Sequence, residues 1–127
     1  MGEPVLLDTH ILIWLLEDSP RLKASIAQAI AESPARYVSV ASLWEMHIKA
    51  SLGRLRLPGD LERLVQATGL DLLPIQAGHA AAVQDLPWHH RDPFDRLLVA
   101  AAKVEDLRLV TADAAVLRYD CGLLDAR

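Results

Sequence analysis

Oxygen-bearing side chains recur in one kind of place along this sequence. Asp8 closes VLLD and directly precedes THILIWLL, and Glu45 lies in ASLWEMHIKASLG just after YVSV. Asp92 and Asp95 open DPFDRLLVAAAKVE, while Thr111 and Asp113 close LRLVTAD. Taken singly, each has a plain explanation. Ser42 to Glu45 reads as a capping box with Glu45 in the first turn, Asp92-Pro93-Phe94-Asp95 obeys the rules for a helix start, and Asp8 and Asp113 can cap their own helices. Such caps contribute about 1 kcal/mol each with no chemistry at all. Taken together they mean more, because Ser, Thr or Asn caps would serve folding equally well and converging anions repel. Two carboxylates 4 Å apart at an effective dielectric of 20 cost about 4 kcal/mol. The pattern therefore calls for a compensating cation. Hard oxygen donors without cysteine or an obvious histidine pair suit Mg²⁺ or Mn²⁺, whereas zinc prefers imidazole or thiolate. Three or four carboxylates can hold one or two such ions, lower the pKa of a bound water and stabilise charge on a phosphoryl group. The chemistry implied is hydrolysis of a phosphodiester.

The elements that must carry these residues alternate along the chain. Apolar runs at 4–7, 37–40, 70–75 and 107–110 read as buried strands, with a fifth short strand at 122–124. Apolar residues at helical spacing predict helices over 9–16, 22–31, 43–52, 61–68, 77–84, 93–104 and 114–117. Strands alternating with helices form crossover units, so the fold class is α/β, a three-layer α/β/α sandwich around a mostly parallel sheet of four or five strands. In such folds the working site lies beyond the carboxyl ends of the strands. That is the edge at which Asp8, Glu45, Asp92, Asp95 and Asp113 accumulate.

A chain of 127 residues, 52% apolar and 24% charged, is expected to form one domain over 1–127. At this size roughly two thirds of the unfolded surface is buried, so folding needs neither a disulfide nor a structural metal. Cys121 is the only cysteine and has no partner within the chain. MGEPVLLD lacks the basic start and unbroken apolar core of a secretory signal, and no uncharged apolar run approaches the roughly 18 residues of a membrane span. The expectation is a cytoplasmic protein with no membrane contact. Seventeen acids against thirteen bases, a net charge of −4, argue against broad adhesion to nucleic acid. Any such contact has to be local.

VLLDTHILIW, SVASLWEMHIK, HHRDPFDRLLVAAA and LVTAD, in this order and at these spacings, resemble the PIN-domain ribonucleases over nearly the whole chain. Within that family the chain is most similar to the small single-domain toxins of the VapC type. The resemblance implies a PIN-like sandwich and matches the family's acidic quartet to Asp8, Glu45, Asp95 and Asp113. These four would hold Mg²⁺ or Mn²⁺ and carry the catalysis. Asp95 is taken as the third acid because the family's acid directly precedes a run like RLLVAAA. Asp92 is its rival, as a helix cap, a residue behind the ligands or a sharer of the ion. Thr111 would orient a carboxylate or a metal-bound water, and Thr9 would do the same beside Asp8. The resemblance further implies endonucleolytic cleavage of single-stranded or loop RNA, arrest of translation and growth, a homodimer, and restraint by a cognate antitoxin whose tail covers the acidic pocket. The alternative is a catalytically weak or inactive PIN module that binds RNA or a protein partner, with metal binding but no turnover.

Other residues have two readings each. Lys49, Arg54, Arg56, Arg91 and Arg96 could guide phosphates towards the acids, with Lys49, Arg91 and Arg96 best placed. Against this, Glu45 and Lys49 have the spacing of an ordinary helical ion pair, and surface arginines mostly serve solubility. His89 and His90 read as a solvated loop pair, and His10 and His47 as half-buried helix residues. Trp14 and Trp44 read as core, whereas Trp88, in a loop, could stack on a base or a partner helix. The amphipathic stripes at 21–32 and 61–68 suit either the core or an antitoxin. A receiver domain needs an acidic pair after its first strand, and a haloacid dehalogenase-like phosphatase needs Asp-x-Asp there. Asp8-Thr9-His10 satisfies neither.

Overall fold

The apolar run Val5–Leu7 forms β1, the central strand, with all three side chains buried. The computed structural model describes residues 2–127, and Met1 lies outside them. β1 leads directly into α1 (Thr9–Leu16), then α2 (Ala24–Glu32), β2 (Arg36–Ser39), α3 (Val40–Ser51), α4 (Leu61–Ala67) and β3 (Asp71–Leu73). The second half runs through α5 (Ala77–Ala82), a 3₁₀ turn at Val83–Asp85, α6 (Pro93–Val104), β4 (Arg108–Thr111), a 3₁₀ turn at Val116–Arg118 and β5 (Leu123–Asp125). The strand order is β3-β2-β1-β4-β5, and every neighbouring pair is parallel. The expected mostly parallel sheet of four or five strands is thus a fully parallel sheet of five.

Alternation along β1 divides the apolar side chains between two layers. Val5 and Leu7 face Ile11 and Leu12 of α1, Ile26 and Ile30 of α2, Met46 of α3 and Val65 of α4. Leu6 faces the opposite layer, where α6 contributes Leu98, Val99 and Ala102 beside Leu109 of β4. Burial of side chains of this size stabilises the fold by roughly 1.5–3 kcal/mol each. Both faces being covered is what a fully parallel sheet requires, and it explains why the strands read as unbroken apolar runs. Among the described residues no helix is long and apolar enough to cross a membrane.

The order of the strands decides where a site can form. From β1 the chain moves outward to β2 and β3, then returns across the sheet to place β4 on the other side of β1. Connections leave β1 and β4 in opposite directions, so a crevice opens beyond the carboxyl ends of these two strands, which pair through Leu7 and Val110.

Several local expectations are corrected. Val40 is not the last residue of a strand but the first of α3, because Ser39 is the N-cap and its side chain accepts from Ala41 N. The capping box at Ser42–Glu45 therefore does not exist, and Glu45 stands in the second turn. The helix expected at 114–117 is only the 3₁₀ turn Val116–Arg118. Trp44 is not core but 58% exposed, on the side of α3 shared with Val40 and His47, while Ala41, Ser42, Glu45 and Met46 turn inward. Its ring meets Phe94 edge-on, with centroids 5.2 Å apart. His10 and His47 are exposed rather than half-buried, whereas Trp14 packs partly buried against the α1–α4 layer.

Candidate metal centre

Asp8 follows β1 at the head of the crevice and is 2% exposed. Its backbone N–H donates to Val110 O at 3.0 Å, extending the β1–β4 pairing by one residue. Its carboxylate accepts from Thr9 N at 2.7 Å through Oδ1 and from the Thr111 hydroxyl at 2.7 Å through Oδ2. Thr111 closes β4, is fully buried, and also accepts from Asp113 N at 3.1 Å. Asp113 Oδ1 in turn accepts from Ala115 N and Val116 N, which fixes the turn after β4. Asp8 is therefore the N-cap of α1, where the plain reading holds locally, whereas Asp113 fixes a turn ahead of a 3₁₀ segment whose N-cap is Ala115. Neither role explains why the neighbouring strand ends bring the two acids together.

α3 and α6 supply the other acids. The inward turn of α3 carries Glu45, 8% exposed, whose Oε2 lies 3.3 Å from Lys49 Nζ. Glu45 Oε1 is buried with no hydrogen-bond partner, the only such side-chain atom among the described residues. At the start of α6, Asp92 is the N-cap, and its Oδ1 accepts from Phe94 N and Asp95 N at 2.8 and 3.3 Å. Asp95, in the first turn of that helix, turns into the cluster. Of the two acids in DPFD, Asp92 caps and Asp95 faces the other carboxylates.

The electrostatics express this crowding. Burial, with the charges of Asp8, Asp92 and Glu45 added to it, pushes the Asp95 carboxyl up to about 7, against a smaller opposing pull from His90. Burial also raises the Asp8 carboxyl, although Thr111, His10 and Thr9 work against the shift. For Asp113 burial again opposes ionisation, but donors from Val116 N, His90 and Ala115 N outweigh it and hold the group below the ordinary carboxylate value. A buried acceptor without a donor, among acids that suppress one another's ionisation, is the surrounding that a hard divalent cation would satisfy. The donor set fits Mg²⁺ or Mn²⁺. An open cleft of about 180 Å³ lined by Asp8, His10, Trp14, Ala112 and Asp113 leads to the cluster.

The accessory residues distribute differently from expectation. Thr111 does orient a carboxylate, that of Asp8. The Thr9 hydroxyl does not; it donates to Ser42 Oγ at 2.9 Å and ties α1 to α3, so only its backbone N–H serves Asp8. Lys49 is half-buried in its pair with Glu45, and Arg91 is exposed beside the α6 cap. Arg96 cannot guide phosphates, because it is 3% exposed. Its Nη1 donates to Pro87 O and the Tyr119 hydroxyl, its Nη2 to Val83 O and Leu86 O, and its guanidinium carbon lies 3.7 Å from the centroid of the Trp88 ring. That cation holds the 83–90 loop on α6, and Trp88, 75% exposed, is its lid.

His90, read as half of a solvated loop pair, stands inside the site. Its Nε2 lies 3.0 Å from Asp95 Oδ2 and 3.2 Å from Asp113 Oδ2. The signal available in the sequence was its position two residues before a capping aspartate, where a ring can fold back onto the cap's own backbone.

The family model described as PIN domain matches residues 5–120, which include all four acids. The chain is 32% identical over 112 residues to Ribonuclease VapC22 of Mycobacterium tuberculosis, covering 86% of each sequence. Among solved structures it superposes on a chain of VapBC2 from Rickettsia felis bound to a fragment of promoter DNA, with a TM-score of 0.70 and 16% identity, covering 98% of this chain and 99% of the other. A toxin–antitoxin complex from Klebsiella pneumoniae gives 0.68 at 20% identity, covering 97% and 98%.

Proposed function

Because this chain belongs to the PIN-domain family and is a relative of the VapC ribonucleases, we propose that it is a divalent-cation-dependent endoribonuclease. In this reading it is the toxin of a toxin–antitoxin pair, working in the cytoplasm and arresting translation and growth when free. One observation carries the proposal. Asp8, Glu45, Asp95 and Asp113 come from four separate segments to one crevice, where Glu45 Oε1 is buried without a partner and Asp95 is pushed up to about 7. Bound by these four acids, Mg²⁺ or Mn²⁺ would supply the positive charge that lowers the pKa of water for in-line attack and stabilises the phosphoryl oxygens.

The chain's own residues provide the geometry. Thr111 holds Asp8, the Val116 and Ala115 amides hold Asp113, and the α6 cap at Asp92 sets the direction of Asp95. Lys49, paired with Glu45, and Arg91, exposed beside the α6 cap, would neutralise RNA phosphates around the anionic centre. A cognate antitoxin and a second copy of the chain are the protein partners in this reading; the antitoxin is supported by the structural neighbours, which are toxin–antitoxin assemblies.

The test is incubation of the purified protein with structured RNAs in Mg²⁺, in Mn²⁺ and in chelator. Metal-dependent cleavage that disappears in Asp8→Asn supports the proposal. Cation binding with no turnover above the Asp8→Asn control replaces it with the inactive RNA- or protein-binding module.

A further inference from the structure

The imidazole of His90 is held in a loop, yet every polar atom of the residue is engaged. Its Nδ1 accepts the backbone N–H of Asp92 at 3.0 Å. A backbone amide can only donate, so Nδ1 is bare and the proton of the neutral ring is on Nε2. That one N–H donates to Asp113 Oδ2 at 3.2 Å, and Asp95 Oδ2 lies 3.0 Å from the same nitrogen as an ion-pair contact. His90, Asp95 and Asp113 offer atoms within 4.8 Å of one another, close enough to be read as a three-residue ligand group. A protonated nitrogen, however, has no lone pair to give to a cation.

The ring is also fixed from behind. The His90 amide donates to the Tyr119 hydroxyl at 3.0 Å, and the same oxygen accepts from Arg96 Nη1 at 3.1 Å. Tyr119 and Arg96 are 4% and 3% exposed. Arg96 directly follows Asp95, and Asp92 caps the same helix, so the imidazole is referenced to α6 on two sides while it reaches across to the turn after β4.

From this geometry we propose that His90 is a positioning residue of the metal centre and not a metal ligand. Its Nε2–H holds Asp113 by a hydrogen bond while the ring edge stands against Asp95, which sets the separation of the α6 and β4 arms and leaves an all-oxygen donor set. The inference rests on the reading of the acidic cluster as a cation site. No hydrogen bond among the described residues engages the Asp95 carboxylate, and Glu45 Oε1 has no partner, so Asp95 and Glu45 keep oxygens available beside His90.

The experiment uses the full chain with ¹⁵N-labelled histidine, together with calorimetric titration of Mn²⁺. Expected is a His90 Nε2 that carries its proton without metal and keeps it at saturating Mg²⁺. Expected too is a loss of Mn²⁺ affinity in His90→Ala of about 10- to 100-fold, the usual effect of removing a group that orients a ligand. His90→Gln, whose amide can still donate to one carboxylate, should lie between. A bare Nε2 at saturating Mg²⁺, or nitrogen hyperfine coupling in the Mn²⁺-loaded protein, makes the ring a ligand and overturns the inference. Unchanged affinity in a His90→Ala variant with wild-type circular dichroism overturns it as well, with the cation reading intact. If His90→Ala does not fold, His90→Gln and the nitrogen spectra decide. Failure of the wild-type chain to bind either ion overturns the cation reading and the inference with it.

Discussion

The hydroxyl of Thr111 donates to Asp8 Oδ2 at 2.7 Å across 103 positions of sequence, and the same oxygen accepts the backbone N–H of Asp113. A single buried side chain thus fixes the first acid of the cluster and the backbone of the last. Because β1 and β4 are paired, this hydrogen bond joins two rigid strand ends.

Thr111→Val keeps the shape of the residue and removes that link. A hydrogen bond to a charged group contributes about 1.5–3 kcal/mol, so the variant should fold, lose about tenfold or more in Mn²⁺ affinity, and lose RNA cleavage with it. Thr111→Ser should retain most of both. Calorimetric titration and a cleavage time course on the pair provide the check, and a valine variant with full affinity would refute the orienting role.

The metal-free protein should lose stability as the pH rises. Asp95 has an ordinary value of 3.8 and a folded value of about 7, so the folded state binds the proton more tightly. Its contribution is fully present below about pH 4 and is lost as the pH climbs through about 7. In chelator, Tm should fall between pH 5 and pH 8, and Asp95→Asn should flatten this fall while abolishing cleavage. At pH 8 the variant should melt higher than the parent by about 3–8 °C, the shift that ~1 kcal/mol produces in a domain of this size. Thermal melts across that range decide, and parallel curves for the two proteins would contradict the assignment.

Arg96 should be a stability residue. Arg96→Met removes a donor from the Val83 carbonyl and the Tyr119 hydroxyl and strands the Pro87 and Leu86 carbonyls, and should destabilise the fold by about 3–5 kcal/mol in urea unfolding. Arg96→Lys should restore little, since one ammonium cannot reproduce the planar fork. A wild-type denaturation midpoint in either variant would refute this role.

Neighbouring positions on α3 should behave oppositely. Met46→Ala opens the core beneath the sheet and should cost about 2–5 kcal/mol, whereas Trp44→Ala removes an exposed ring and should cost under about 1 kcal/mol. Acrylamide should quench Trp44 readily in the intact protein. Equal losses from the two substitutions would show that Trp44 is buried in solution.

The arrangement of the acids was legible because it depends on chain-local signals. VLLD and LVTAD end strands, and an aspartate there must lie at the carboxyl edge of a parallel sheet whatever the rest of the chain does. The same local grammar could not separate the roles of Arg96 and His90. Arg96 reads as a surface cation until the 83–90 loop curls over α6 and delivers carbonyls to it. His90 reads as solvated until the turn after β4 brings Asp113 against the start of α6. Both depend on contacts between segments that no spacing rule reports. The misplaced capping box is a milder case. Ser39 and Ser42 stand one helical turn apart, both able to cap, and the end of β2 at Ser39 selects the first and frees Ser42 to meet Thr9.

The adjacency of β1 and β4 has a consequence for synthesis. As the ribosome delivers the polypeptide from its amino end, Asp8 emerges early but has neither its hydroxyl donor nor its neighbouring strand until residues 108–111 arrive. No fragment ending before that point can complete the crevice, so nascent or prematurely terminated products should leave RNA intact. On the proposed toxin function, harm to the cell would begin only once nearly the whole message has been read.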